Sequence, residues 1–261
     1  MELSLIIPAH DESGRIGPTL RRYSAALRAH YGERFEIVVV ANGCSDDTAL
    51  VAQRQALTLP QLRVIEIREP IGKGGAVLVG FRQARGRHVL FTDADASTDP
   101  ASLLALATRL ERYDIAIGSR RLPTSSIVRH QPLSRRIFGR VFSHAVRLCF
   151  ALPYRDTQCG AKALRRDAAQ MLAHTVREAR WTFDIDLLLS AHDLGLTVVE
   201  HPIVWTDSNG SRLRLIPTAW EVTQALVRLK LRHWRLATRA IPAGRGEIAA
   251  ATVIEVETNR P

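Results

Sequence analysis

The chain has 261 residues with 46% hydrophobic residues, enough for one substantial core and too apolar for a disordered polymer, and its 36 Lys and Arg against 26 Asp and Glu give a formal net charge of +10. No run approaches twenty uninterrupted apolar residues and the N-terminus enters a strand pattern directly, so neither a membrane-spanning helix nor a signal peptide is expected. The three cysteines, Cys44, Cys149 and Cys159, are odd in number, widely spaced and without metal-finger spacing, which fits a reducing compartment and makes the cytoplasm the expected location.

Leu3 to Ile7 is an apolar run closed by Pro8, a first strand, and the polar stretch through Gly14 is the loop at its carboxyl end. Ile16, Leu20, Tyr23 and Leu27 fall at helical spacing within Arg15 to His30. Phe35 to Val40 is a second buried strand, and Ser45 or Asp46 is expected to cap the helix that follows. Leu62 to Ile67 is a third strand. Pro70 to Gly75 is a glycine-rich turn feeding a helix through Ala84, and Val89 to Thr92 is a fourth strand. Asp99-Pro100 opens the next helix, and Asp114 to Ile117 is a further strand before Gly118-Ser119-Arg120. This alternation of strand and helix predicts an α/β fold with a mostly parallel central sheet and helices on both faces.

The second half reads differently. Leu133 to Leu152 is helical by periodicity, Arg166 to His174 and Phe183 to Asp193 read as two further helices, Asp156 to Gly160 is a polar loop, and Thr197 to Glu200 and Ile203 to Thr206 are short strands. Pro217 to Ala240 is a basic amphipathic helix, and residues 241–261 are expected to form a mobile tail. Charge is unevenly placed. Arg120 to Arg155 holds eight arginines and no Asp or Glu, and Ser208 to Ala240 holds seven Lys or Arg against Glu221 alone. A localised basic face implies an anionic partner such as a nucleic acid, an anionic membrane surface or a phosphorylated substrate.

Asp93 and Asp95 stand two residues apart at the end of the fourth strand, where ligands of open α/β sheets bind. Two carboxylates so placed can share one hard cation, Mg²⁺ or Mn²⁺, carrying a diphosphate, although such a pair also occurs as a simple turn.

The motif order from Leu3 to Leu215 resembles the family 2 glycosyltransferases, in particular the polyprenyl-phosphate sugar transferases and, among them, the dolichyl-phosphate glucosyltransferase branch. Pro8 to Glu12 stands where that family has P-x-x-N-E, Ala41 to Asp46 where it has D-D-G-S-x-D, and Gly72 to Val77 matches G-K-G-x-A-V. Asp93-Ala94-Asp95 matches the metal motif and Gly118-Ser119-Arg120 the G-S-R after the next strand. Asp156 to Gly160 with Lys162, Arg180 to Asp184, and Gly210 to Leu213 resemble the glucosyltransferase branch.

The resemblance implies a GT-A-type nucleotide-binding fold over residues 1–215, with a nucleotide-sugar half (1–120) and an acceptor half (121–215), followed by the basic helix (216–240) and the tail (241–261). It implies an inverting transferase that moves a hexose, glucose from UDP-glucose, onto a dolichyl or undecaprenyl phosphate, peripheral on the inner face of the membrane. It assigns Pro8, Glu12 and Asn42 to the nucleoside pocket, Asn42 standing where the family usually has Asp. Lys73 belongs with the donor phosphates or sugar, Asp93 and Asp95 with Mg²⁺ or Mn²⁺. Arg120 and Ser134 belong with the acceptor phosphate, and His130 stands where mannosyltransferase relatives carry an arginine four residues ahead of the serine, its neighbours Arg129, Arg135 and Arg136 being the expected substitutes. Gln158, Lys162 and Asp184 complete the substrate site, with Asp95, Arg120 and Asp184 as the catalytic candidates.

A lipid phosphate is already ionised and needs no general base, whereas a hydroxyl acceptor needs a carboxylate such as Asp184, Asp186 or Asp156. The alternatives are thus another nucleotide sugar, such as GDP-mannose, a hydroxyl acceptor, or a nucleic-acid-binding module. The last is disfavoured because the basic segments lack aromatic interleaving and helix-turn-helix or zinc spacing.

Overall fold

A computed structural model describes residues 1–129, 133–180, 182–207 and 224–233. Nine strands and seven named helices alternate through it. In chain order they are β1 (Leu3–Ala9), α1 (Ser13–Tyr31), β2 (Phe35–Asn42), α2 (Thr48–Ala56), β3 (Leu62–Ile67), α3 (Gly72–Gln83), β4 (His88–Phe91) and α4 (Pro100–Arg109). Then come β5 (Ile115–Ser119), β6 (Ser126–Arg129), α5 (Leu133–Phe150), β7 (Lys162–Arg165), α6 (Arg166–Thr175), α7 (Phe183–Asp193), β8 (Val198–Pro202) and β9 (Val204–Thr206). A further helix, α8, covers 224–233.

Seven strands form one sheet in the order β3-β2-β1-β4-β7-β5-β8, and β6 pairs with β9 beside it. Every pairing in the large sheet is parallel except those of β7, which runs antiparallel to both β4 and β5. Alternate residues of the continuous apolar strands reach opposite faces. Leu3, Leu5 and Ile7 of β1 join Leu20 and Tyr23 of α1 and Leu106 of α4 on one side, while Ile6 joins Val77 and Phe81 of α3, Leu172 of α6 and Leu188 of α7 on the other. Burial on both faces is what makes these strands read as unbroken apolar runs rather than alternating ones.

Three expectations are refined and a fourth holds. Pro8 does not end β1, which runs on to Ala9. Ile6 accepts the Thr92 N–H, so Pro8, two residues on, turns its nitrogen to the same side, past the end of β4 where no ladder bond is lost. The glycine turn lies inside α3, whose first residue is Gly72. The N-cap of α2 is Asp47, while Asp46 accepts the Thr48 N–H at 2.9 Å and the Ser13 N–H at 3.1 Å, lacing the loops after β1 and β2 together. The expected cap at Asp99 is present, its carboxylate accepting the Ala101 N–H at 3.0 Å.

Of the basic segment expected to be helical over 217–240, 224–233 is helix and the rest lies outside the described residues, as do the tail and His130. α8 packs on its own domain. Leu229 and Ala225 are buried, Lys230 donates to the Cys149 carbonyl, and Arg232 and His233 bind Asp186. No helix among the described residues is long and apolar enough to cross a membrane.

Candidate active site

The carboxyl ends of β1, β2, β4 and β5 lie at one edge of the sheet because these strands are parallel. β7 enters from that same edge because it runs the other way, which sets Lys162 beside Phe91 in one neighbour and Ile117 in the other. Residues far apart in the chain therefore meet there.

The Asp93-Ala94-Asp95 turn is fixed at several points. Thr19 of α1 donates to the Ala94 carbonyl at 2.8 Å, and Asp95 accepts the Ser97 N–H at 2.9 Å across Ala96, whose φ is +53°. Asp93 pairs with Lys73 of α3 at 2.6 Å, both side chains remaining partly open to solvent. Burial pushes the Asp93 carboxyl up, but the ammonium of Lys73, with Lys162 and Arg120 farther off, more than reverses that and leaves it below the ordinary range. Glu12 is held above its ordinary value by burial and by the nearby charges of Asp95 and Asp93, against the pull of Arg15, with which it pairs at 2.6 Å. Glu12, Asp93 and Asp95 thus share one electrostatic environment. A D-x-D oxygen pair suits Mg²⁺ or Mn²⁺, and the ammonium on Asp93 shows that the carboxylate accepts a cation there.

Asn42 is buried, and its amide N–H₂ donates to the Ala9 carbonyl at 3.1 Å. Asp11, at φ +53°, accepts the Ser45 N–H at 2.7 Å, and His10 Nδ1 meets the Asn42 carbonyl at 2.9 Å. Pro8 lies beside Val40 in the ladder beneath.

On the other flank, Arg120 is clamped by Asp156. Its Nε and Nη2 donate to the carboxylate at 2.7 and 2.9 Å, its own backbone N–H adds a third bond at 3.0 Å, and its guanidinium stands 5.5 Å from the Trp205 ring centroid. Burial works against the Asp156 anion, yet Arg120 outweighs it and the carboxyl falls to about 2. Lys162 is fully buried, donating to Asp184 at 2.5 Å and to the Cys159 carbonyl at 2.6 Å over the Phe91 ring. The expected carboxylates of the acceptor half are therefore engaged by cations: Asp184 by Lys162, Asp156 by Arg120 and Asp186 by Arg232.

Three features were not foreseen. Gly160 lies against the carboxylate of Asp93, where a Cβ would stand 2.0 Å from Oδ2. Thr157 Oγ1 and Gln158 Nε2 are buried without a hydrogen-bond partner among the described residues. Two α3 glycines serve packing: a Cβ on Gly72 would meet the Ala179 carbonyl at 2.5 Å and one on Gly74 would meet Phe183 at 2.5 Å, while the Gly75 N–H is taken by Ala179. The glycine spacing of Gly72 to Gly75 was the only available signal for that approach. The side chains of Ser134, Arg135 and Arg136 lie outside the described residues, as does Trp181.

Residues 4–172 match the family model described as glycosyl transferase family 2. This chain belongs to glycosyl transferase family 2. Among curated proteins, this family 2 chain is 30% identical over 259 residues to glycosyltransferase AglD of Haloferax volcanii, covering 98% of the chain but 41% of the length of that protein. It is 33% identical over 255 residues to the dolichyl-phosphate beta-glucosyltransferase of Drosophila melanogaster, covering 91% of the chain and 78% of that protein. The enzyme of the same name from Saccharomyces cerevisiae is 29% identical over 249 residues, with 88% and 75% covered. Among solved structures, glucosyl-3-phosphoglycerate synthase from Mycobacterium tuberculosis, in complex with Mn²⁺, UDP-glucose and phosphoglyceric acid, aligns with a TM-score of 0.63 at 18% identity, covering 89% of this chain and 79% of that one. That likeness places the family 2 chain in the GT-A fold.

Proposed function

We propose that this family 2 chain moves glucose from UDP-glucose onto a polyprenyl phosphate with inversion, working at the inner face of a membrane, residues 1–120 serving the donor and 121–215 the acceptor. The observation that carries this reading is the meeting of Glu12, Asp93 and Asp95 with Lys73, Arg120 and Lys162 at one sheet edge. Acidic groups for a cation and basic groups for phosphates are both needed to handle a nucleotide diphosphate. The names of the Drosophila and yeast relatives support the lipid acceptor, and the Mn²⁺ and UDP-glucose bound to the mycobacterial enzyme support donor and metal.

In this mechanism the Asn42 amide nitrogen is spent on Ala9, which leaves its oxygen to accept a uracil N–H. Asp93 and Asp95 would hold Mg²⁺ or Mn²⁺, and the ion would supply Lewis-acid neutralisation of the departing diphosphate. Lys73 adds positive charge beside the same phosphates. The unpartnered Gln158 amide and Thr157 hydroxyl suit sugar hydroxyls, which donate and accept in the same geometry. Arg120, fixed in orientation by Asp156 and Trp205, presents its remaining N–H groups to the acceptor phosphate, together with Ser134, Arg135 and Arg136. Lys162 donates to Asp184 at 2.5 Å, so Asp184 acts by orienting the start of β7 through Lys162. With Asp156, Asp184 and Asp186 all held by cations, an acceptor that needs no base fits better than a hydroxyl.

Transfer of radiolabelled UDP-glucose with Mn²⁺, with and without polyprenyl phosphate, tests the reading in the wild type and in Asp95→Ala. Lipid-dependent label transfer that falls at least a hundredfold in Asp95→Ala is expected. Equal turnover in the variant, or label moving only to a soluble hydroxyl acceptor, overturns it.

A further inference from the structure

Outside the donor edge, one face of α5 and the two loops behind it enclose a cavity of about 320 Å³ lined by Arg121, Arg140, Ser143, His144, Arg147 and Arg155. None of these residues belongs to the Glu12, Asn42, Lys73, Asp93 and Asp95 set. Arg140, Ser143, His144 and Arg147 recur at helical spacing, so α5 presents them as one stripe. Arg121 comes from the turn after β5 and is set firmly, its Nη1 donating to the Arg155 carbonyl at 3.1 Å and its Nη2 to the Gly139 carbonyl at 2.7 Å.

Two properties of this cavity call for a ligand. Four arginines line it, Arg121 half-buried and Arg140, Arg147 and Arg155 exposed, and none of them forms an ion pair with a carboxylate among the described residues. Burial lowers the Arg121 guanidinium pKa, Asp156 and Glu200 oppose that, and the like charges of Arg120 and Arg140 deepen it. The second property is the Ser143 hydroxyl. The residue is 1% exposed and its Oγ has no hydrogen-bond partner among the described residues. A helical serine ordinarily returns its hydroxyl to the carbonyl four residues back, here Gly139, but that oxygen already receives Arg121. A buried O–H donor without a partner, on a cavity also lined by arginines that lack a carboxylate, matches a tetrahedral oxyanion.

We propose that this cavity is a phosphate-binding site for a phosphoryl group other than those of the nucleotide-sugar donor and of the polyprenyl-phosphate acceptor, whose residues it does not share. Its volume admits a phosphate together with the first atoms of what carries it. Val141 and Leu148, one position beyond Arg140 and Arg147, are 64% and 73% exposed, so an apolar strip runs beside the cationic one. That pairing suits a phospholipid headgroup with its chains alongside, while a free phosphate satisfies the cavity alone. The proposal stands apart from the donor reading, because it uses none of that site's residues.

The test measures isothermal titration with pyrophosphate, and flotation with phosphatidylcholine vesicles with and without phosphatidic acid, on the full chain and on Ser143→Ala and Arg147→Gln. Saturable binding in at least one arm, weakened about tenfold by Ser143→Ala and as much or more by Arg147→Gln, is expected. Pyrophosphate titration alone assigns a soluble phosphate, and phosphatidic acid flotation alone assigns a lipid. UDP titration in the presence of Mn²⁺, unchanged in both variants, reports that each has folded and keeps this test separate from that of the donor site. Absence of saturable binding in both arms overturns the proposal, as does binding that the two variants retain at wild-type strength.

Discussion

A methyl group added to Gly160 would stand 2.0 Å from Asp93 Oδ2, where no contact of that kind is tolerated, so the turn after Cys159 and the carboxylate must part. Gly160→Ala is therefore expected to keep the fold and lose turnover by about a hundredfold, the effect of displacing a positioned group by roughly an ångström. Steady-state kinetics beside a circular dichroism spectrum checks this, and a near-wild-type rate would show that Asp93 is not needed where it sits. Asp156 gives a stability prediction. Its carboxyl is held at about 2 against an ordinary 3.8, so its contribution is complete above the ordinary value and disappears as pH falls through about 2. Urea unfolding between pH 5 and pH 2 should show that acid loss in the wild type and a shallower one in Asp156→Asn, which also costs about 3 kcal/mol at neutral pH by leaving Arg120 unpaired. Equal acid slopes would mean the pair carries no pH-dependent stability.

At the scale of elements, α3 lies so close to β1 that a Cβ on Gly80 would approach Ile6 Cγ2 to 2.2 Å. Gly80→Ala should destabilise by about 1–3 kcal/mol through overpacking, and Ile6→Ala in the same chain should return part of that loss, a coupling that a double-mutant cycle in urea reads directly. Additive costs would show that helix and strand do not touch in solution. The same scale separates what the residues disclosed from what they hid. β1, β2 and β4 were legible because burial on both faces leaves unbroken apolar runs, and α1 because its buried Ile16, Leu20, Tyr23 and Leu27 recur at helical spacing. β7 was not, for K-A-L-R is too short to show a period and takes its conformation from β4 and β5 on either side. For the site, Asp93, Asp95 and Lys73 could be proposed from motif order, since each stands at a strand end or helix start. The pairing of Arg120 with Asp156 and of Lys162 with Asp184 spans 36 and 22 residues, distances over which spacing carries no information.

For the molecule as a whole, the donor set decides how the metal of the proposed function would bind. Among the described residues no third His, Cys, Asp or Glu joins Asp93 and Asp95 in a ligand cluster; the one such group is His10, Asp11 and Cys44, whose nitrogen and sulfur donors suit Mg²⁺ poorly. Two carboxylates need the oxygens of a diphosphate to complete a hard-cation shell. Mg²⁺ alone is thus expected to leave the melting temperature nearly unchanged, UDP alone to raise it slightly, and the two together to raise it by several degrees, as linkage to a bound complex requires. EDTA should abolish transfer without lowering the melting temperature of the free chain. A large shift with Mg²⁺ alone would point to a preformed cage.

β7 has a consequence for how such a molecule diversifies. The excursion from Arg120 to Ala161 leaves the sheet at the donor edge and returns to it at the same edge, because its last strand runs backwards. Such a detour behaves as a cassette: its length can change, provided both ends still land beside β4 and β5 and Asp156 and Gly160 stay against Arg120 and Asp93. On the proposed function, such a change would alter the acceptor while leaving in place the residues assigned to the sugar nucleotide.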